Sequence, residues 1–208
     1  MRHTPRSRTI LLVGLTIAAA LTSPLPAQTA GWQVSAGTGQ TWFGGGASDT
    51  TGAGLSFRPT PSVAWGLGVD HAMGKVRVGV GFTTLAADLQ LSGSGVQLVS
   101  EATRLRQYEL GLLVNVPLLR VGGLGAGFSL SAGPTIDFWT VTDMDSRTRA
   151  GALAALLFSA PISPGWTLLA SAAGALTGSP FNASELPVEF EPSTLLSGRI
   201  GLGLRYGL

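Results

Sequence analysis

The sequence predicts an all-β chain, an eight-stranded antiparallel up-and-down transmembrane β-barrel, and three observations carry that expectation. Apolar and small residues alternate one by one over segment after segment. Charged residues make up only 12% of the chain against 45% hydrophobic, and 30 glycines are spread through its 208 residues. Disorder would require low hydrophobicity with high net charge, and a disulfide-stapled scaffold would require cysteine, of which there is none. The lack of cysteine also excludes thiolate metal sites and thiol catalysis.

The first residues, "MRHTPRSRTILLVGLTIAAALTSPLPAQTA", place Arg2, Arg6 and Arg8 before an apolar run from Ile10 to Leu21, the layout of a secretory signal peptide. The run is shorter than the roughly 20 apolar residues a spanning helix needs. Cleavage is expected after Ala27, with Ala30 as the alternative, so residues 1–27 form the leader and residues 28–208 a single barrel domain. Three of the 13 basic residues lie in that leader, which leaves 10 against 11 acidic. The basic pI of about 9.7 therefore belongs mostly to the leader, and a nucleic-acid partner loses its electrostatic support.

Successive side chains of a strand point to opposite faces, so each segment is read by its two faces. Trp32, Val34 and Ala36 oppose Gln33, Ser35 and Gly37. Val63, Trp65, Leu67 and Val69 oppose Ala64, Gly66, Gly68 and Asp70. In "KVRVGVGFT", Val76, Val78, Val80 and Phe82 oppose Arg77, Gly79, Gly81 and Thr83. Tyr108, Leu110, Leu112, Val114 and Val116 oppose Gln107, Glu109, Gly111, Leu113 and Asn115. From Leu124 to Phe138, Phe128, Leu130 and Ile136 oppose Gly127, Ser129, Ser131, Gly133, Thr135 and Asp137. Two further strands, Thr148 to Ala160 and Gly165 to Thr177, are apolar on both faces. A pair of buried helices is the rival there, but Pro161, Pro164 and Gly165 leave each run only about a dozen residues. The last strand, "GRIGLGLRYGL", sets Ile200, Leu202, Leu204, Tyr206 and Leu208 against Arg199, Gly201, Gly203, Arg205 and Gly207.

Short connections (His71 to Lys75, Pro117 to Gly123, Ala160 to Gly165) alternate with long ones (Phe43 to Pro61, Leu89 to Thr103, Thr140 to Arg147, Gly178 to Thr194), as a barrel with one rim of tight turns and one of loops requires. The branched face is expected to meet lipid and the glycine, serine and arginine face a lumen, because only helices and closed barrels pair every backbone polar group in hydrocarbon. Rings collect at the two interfaces of such barrels. Trp32, Trp166 and Tyr206 fall at the short-turn ends, and Trp42, Trp65 and Trp139 near the loop ends.

With this pattern the chain resembles the small outer-membrane β-barrels of the OmpA/OmpX-like eight-stranded kind. The closing strand resembles the C-terminal signal read by the bacterial barrel-assembly machinery, with Gly203, Tyr206 and a terminal hydrophobic residue, Leu208, where phenylalanine is usual. The resemblance implies a Gram-negative-type outer membrane, with lipid and lipopolysaccharide as surroundings. It also implies a structural or surface-interaction role through the loops, toward an extracellular partner the sequence does not name. A peptidoglycan-binding domain is not part of the resemblance. The alternatives are a narrow channel or lateral path for small apolar solutes, and a soluble periplasmic lipid-binding barrel.

The expected lumen charges are Asp70, Arg77, Glu109, Asp137, Arg149, Arg199 and Arg205. Charges away from water need partners. Glu109 and Arg199, at equal depth on opposite strands, are expected to face each other, with Asp70, Arg77 and Arg205 grouped near the base, all acting as a plug because eight-stranded interiors are normally filled. No catalysis, cofactor or metal is expected. His71, the one histidine after the leader, falls in a short turn on the rim away from the outer leaflet, where a solvated turn residue is the plain reading. "GLGAG" at Gly123 to Gly127 lacks the strand-to-helix context of a nucleotide site. "DMDSR" (Asp143 to Arg147) has cation-ligand spacing, and Glu185, Glu189 and Glu191 make the last loop acidic. Such clusters usually form a solvated rim.

Overall fold

The computed structural model describes residues 31–93, 96–122 and 125–208; the expected leader and Leu124 lie outside them. Eleven strands form one antiparallel sheet: β1 (Trp32–Gly44), β2 (Ala47–Asp49), β3 (Ser56–Pro59), β4 (Ser62–Met73), β5 (Val76–Gly93), β6 (Val96–Val121), β7 (Ala126–Val141), β8 (Arg147–Ser163), β9 (Trp166–Thr177), β10 (Phe190–Pro192) and β11 (Leu195–Gly207). Eight of them close a ring in the order β1-β4-β5-β6-β7-β8-β9-β11 and back to β1. Each ring strand exceeds the roughly 9 to 11 residues that a tilted strand needs to cross a bilayer. The runs read with helices as rivals are the strands β8 and β9.

Sidedness follows the alternation. Trp65, Leu67, Leu112, Ile200 and Leu202 project outward and are more than half exposed, whereas Gln107, Glu109, Thr135 and Asp137 project inward and are buried. A soluble lipid-binding barrel would carry the branched residues inside, so that alternative fails. Among the described residues no helix is long and apolar enough to cross a membrane.

The seam between first and last strands is set by glycine. Gly37 faces Gly203 and Gly39 faces Gly201 across β1 and β11. A Cβ on Gly203 would lie 2.7 Å from the Ala36 carbonyl oxygen and 3.1 Å from the Gly37 Cα. Here the two backbones approach too closely for any side chain on the inner face.

Several connections differ from expectation. The expected loop Leu89 to Thr103 is instead the top of a long β5–β6 hairpin, with Leu89 paired to Ser100 and Gly93 to Val96 after a register shift at Asp88 and Leu89. "LQLSG" and "VQLV" alternate apolar and polar on either side of a Ser-Gly pair, which is a hairpin signal in the sequence. The Phe43 to Pro61 segment contains β2 and β3; β3 extends the upper part of β5, β2 pairs with β3, and β10 pairs with β2. Below, β6 runs on to Val121, bulging at Pro117, which has no N–H for the ladder. The Thr140 to Arg147 connection shrinks to Thr142–Ser146, because β7 reaches Val141 and β8 starts at Arg147.

Gly203→Val should lower the stability of the refolded barrel by about 1–3 kcal/mol through overpacking. Gly198→Ala on the same strand, where a Cβ meets nothing within 4 Å, should cost little. Urea unfolding in lipid, followed by tryptophan fluorescence, distinguishes the two.

Candidate functional site

Inside the ring the charges form two layers. In the outer layer the Arg199 guanidinium reaches Glu109 at 3.5 Å across the lumen, and also donates to Thr41 Oγ1 (3.2 Å) and Thr83 Oγ1 (3.1 Å). Asp137 lies beside Glu109 on the neighbouring strand and accepts from Gln107 Nε2 at 2.8 Å. Glu109 is 4% and Asp137 1% exposed. In the inner layer Arg77 donates from Nε to Asp70, and from Nη2 to the Gly31 carbonyl at 3.2 Å. Arg205 faces the same floor with Asp70 and Arg77 as charged neighbours. Its Nε is buried without a hydrogen-bond partner. The outer layer thus sums to one negative charge and the inner to one positive.

Between the layers lies a cavity of about 230 Å³. One side is floored by the inward glycines of β1, β4, β5 and β11, among them Gly37, Gly68, Gly81 and Gly201. The other carries Leu113, Leu153, Leu157 and Leu169. Thr135 and Asn115, also on its wall, have buried side-chain oxygens without partners. Leu153 and Leu157 on β8 and Leu169 on β9 were read in sequence only as part of runs apolar on both faces. Their odd positions are the signal that identifies them as lumen residues.

Arg149 belongs elsewhere than expected. It sits near the loop end of β8 and turns away from Asp137, donating to the Ser179 carbonyl (2.7 Å) and to Asn182 Oδ1 (2.8 Å). Its long side chain satisfies the last loop instead of the lumen. Beside it Arg147, which the sequence reading did not single out, is buried and grips Glu185 through both carboxylate oxygens, one at 2.9 Å. Its Nη2 also donates to the Asp145 carbonyl at 2.6 Å. The backbone N–H of Asn182 donates to the same Glu185 carboxylate at 2.9 Å. Partial burial acts to raise the Glu185 pKa, but the bonds from Arg147 and Asn182 outweigh it and hold the carboxyl below its ordinary 4.5.

These bonds hold a hydrophobic cap. Phe43, Leu85, Leu105, Trp139, Phe181 and Leu195 converge at the loop end, on the inward side of their strands, with Phe181 supplied by the last loop. Trp139 is therefore no part of an interfacial girdle: it is 0% exposed, 6.4 Å edge-on from Phe43. It shares the parity of Asp137, which points in, and its neighbour Phe138 takes the outward place opposite Tyr108. Trp42 and Trp65 are exposed on the outer face near the loops; Trp32, Trp166 and Tyr206 are exposed near the other rim. Trp166 packs on Tyr206 at 4.9 Å. The Leu208 N–H donates to the Trp32 carbonyl at 3.0 Å. His71 is the penultimate outward residue of β4 and lies 4.6 Å from the Trp32 ring, not in a solvated turn. Among the described residues no three His, Cys, Asp or Glu converge to hold a metal ion, the DMDSR segment included.

Glu109→Ala should destabilise the barrel by about 3–5 kcal/mol, because it leaves the Arg199 charge enclosed without its carboxylate; lipid-based unfolding curves measure it. The Arg147–Glu185 grip has its own pH signature. A depressed carboxyl pKa contributes stability above the unfolded value, and that contribution is lost as pH falls through the folded value. The protection of residues 178–186 against hydrogen exchange, relative to intrinsic rates, should fall below about pH 4.5, and Glu185→Gln should remove most of that step.

The chain matches no protein-family model, and no curated protein matches it. Among solved structures it is similar to Neisserial surface protein A, NspA, with a TM-score of 0.59 at 15% identity, covering 86% of this chain and 98% of that one. It is similar to the outer membrane protein AlkL, determined by solid-state NMR in DMPC bilayers, with a TM-score of 0.54 at 11% identity over 99% and 96% of the two chains. For the outer membrane protein OprG from Pseudomonas aeruginosa the TM-score is 0.50 at 14% identity, over 86% and 97%. At such identities the likeness is one of fold: the chain is a closed, eight-stranded barrel of the small outer-membrane kind.

Proposed function

We propose that the protein is an integral outer-membrane barrel of a Gram-negative-type envelope that works at the cell surface through a rigid loop platform, with its lumen closed to ion flow. The carrying observation is the reversal of sidedness along the strands. Through the membrane band apolar side chains point outward, whereas at the loop end Leu105, Trp139, Leu195 and Phe181 point into a shared core. This small core takes in Ala47 of β2, with Phe57 of β3 and Leu89 of β5 packed against it, and β10 joins through its ladder with β2, an arrangement that suits recognition by shape. It also stacks above the Glu109–Arg199 pair, so two barriers lie in series.

The surroundings are assigned by chemistry. Arg104 and Arg106 are exposed on the outward side of β6, four and two residues beyond Tyr108 toward the loops. Rings mark the interface, and cations just beyond it suit the phosphates of lipopolysaccharide. Gly203, Tyr206 and Leu208 on the closing strand are assigned to the barrel-assembly machinery during insertion. No catalytic step enters this reading: His71, its ring tilted against Trp32, lies at the end opposite the platform.

Planar-bilayer recording tests the closed lumen. Wild-type protein should give no large, stable channels, and large, stable conductance would overturn the reading. Membrane residence is tested by heat-modifiable gel migration of the washed membrane fraction, where loss of the protein on washing would count against it.

A further inference from the structure

The Arg205 guanidinium is the one lumen cation that the structure leaves without an acceptor among the described residues. Arg77 is engaged by Asp70 and the Gly31 carbonyl, and Arg199 by Glu109, Thr41 and Thr83. Arg205 has a buried, unpartnered Nε and borders the cavity. A partly buried guanidinium with an unsatisfied buried nitrogen is costly. The local balance of Asp70, Arg77 and Arg205 is one positive charge, so the compensating species is an anion.

The rest of the cavity describes the remainder of that species. Water needs two to four polar partners, but Leu113, Leu153, Leu157 and Leu169 cover one wall. Water would find partners on the rest of the lining, in Ser35, Thr38, Ser131 and Ser171, but it would meet leucine along this wall and leave the guanidinium charge unbalanced. A cavity of about 230 Å³ far exceeds the roughly 10–15 Å³ that a single enclosed water needs, so it has room for a ligand of several non-hydrogen atoms. Opposite the leucines, Gly81 leaves the space open: a Cβ there would only touch Leu113 Cδ1, at 3.4 Å. Thr135, 2% exposed, and Asn115 present unsatisfied oxygens, which accommodate a bridging water beside the ligand.

We propose that the lumen binds a small aliphatic monocarboxylate, its carboxylate on Arg205 and its alkyl chain on the wall formed by Leu113, Leu153, Leu157 and Leu169. This rests on the closed barrel and not on the surface role, so a conducting lumen and an empty cavity are separate failures. Hexanoate, with eight non-hydrogen atoms, is the probe. Calorimetric titration into nanodisc-embedded protein, against empty nanodiscs, should show saturable binding. Hexanol and hexylamine should bind at least about tenfold more weakly, since each lacks the charge-assisted bond. Arg205→Gln should weaken hexanoate by at least about tenfold while leaving hexanol unchanged. Gly81→Leu should abolish binding of both by filling the cavity. Each variant is first checked for heat-modifiable migration, and the comparison of the three ligands on wild type stands without any variant. Equal binding of hexanol, heat no greater than that of empty nanodiscs, or displacement by chloride at concentrations comparable to hexanoate would overturn the proposal.

Discussion

In hydrocarbon no water is present to accept or donate, so each backbone N–H and C=O must find its partner within the protein. That requirement forces this chain to close, and closure depends on one joint, where β1 meets β11. The other ring neighbours follow each other along the chain and are held by connections, whereas the first and last strands have no such connection and meet through their ladder and the Arg199–Thr41 bond beside it. Glycine faces glycine at two inner-face pairs of that ladder, where carbonyl oxygens of one strand approach the other's Cα atoms. Side chains there would hold the strands apart at the one place where the barrel has no covalent help. The abundance of glycine is thus partly a geometric demand of closure.

The same strands serve two solvents, and the apolar residues change sides between them. A side chain in the membrane band gains by pointing toward lipid. Beyond the interface the outside is water, so burial is possible only inward, and the inward parity that carries Glu109 and Asp137 becomes Leu105 and Trp139 nearer the loops. Alternation itself does not break on β6 and β7; only the chemistry of the two faces is exchanged. The cap then requires something to cover it from above. Phe181 does so, and its loop is tied down by Arg147 and Arg149. Two arginines spaced by two on β8 therefore hold the lid, while the lumen proper relies on Arg77, Arg199 and Arg205.

How much of this could be read from sequence depends on whether a feature is set by period or by distance. Strand parity is a local property, so the barrel, the lipid-facing branched residues and the pairing of Glu109 with Arg199 at equal depth were all legible. Trp139 shows the limit: its parity marks it as inward, and reading it by ring type alone put it in the girdle. The strands β2, β3 and β10 are three or four residues long and form only because β5 offers an edge above the rim, a condition no window of sequence contains. Arg149 could not be separated from the lumen charges because its partners, the Ser179 carbonyl and Asn182, lie in a loop whose path the sequence does not specify.

The lumen is asymmetric in a way that follows from where glycine is used. Eight-stranded interiors are just wide enough to be filled by side chains, and on β8 and β9 leucines and alanines do fill their share. On β1, β4, β5 and β11 the mid-lumen inward positions are glycine pairs, Gly37/Gly39, Gly66/Gly68, Gly79/Gly81 and Gly201/Gly203, partly to let the seam close. Half of the wall is therefore thin and half thick, and the space left over collects beside the thin half. Arg199 reaches across above it to Glu109, and Arg205 borders it from the inner level. Closing the seam and emptying the middle of the lumen are two consequences of the same residues, and the opposite net charges of the two layers give that void a direction, negative toward the loops and positive toward the chain ends.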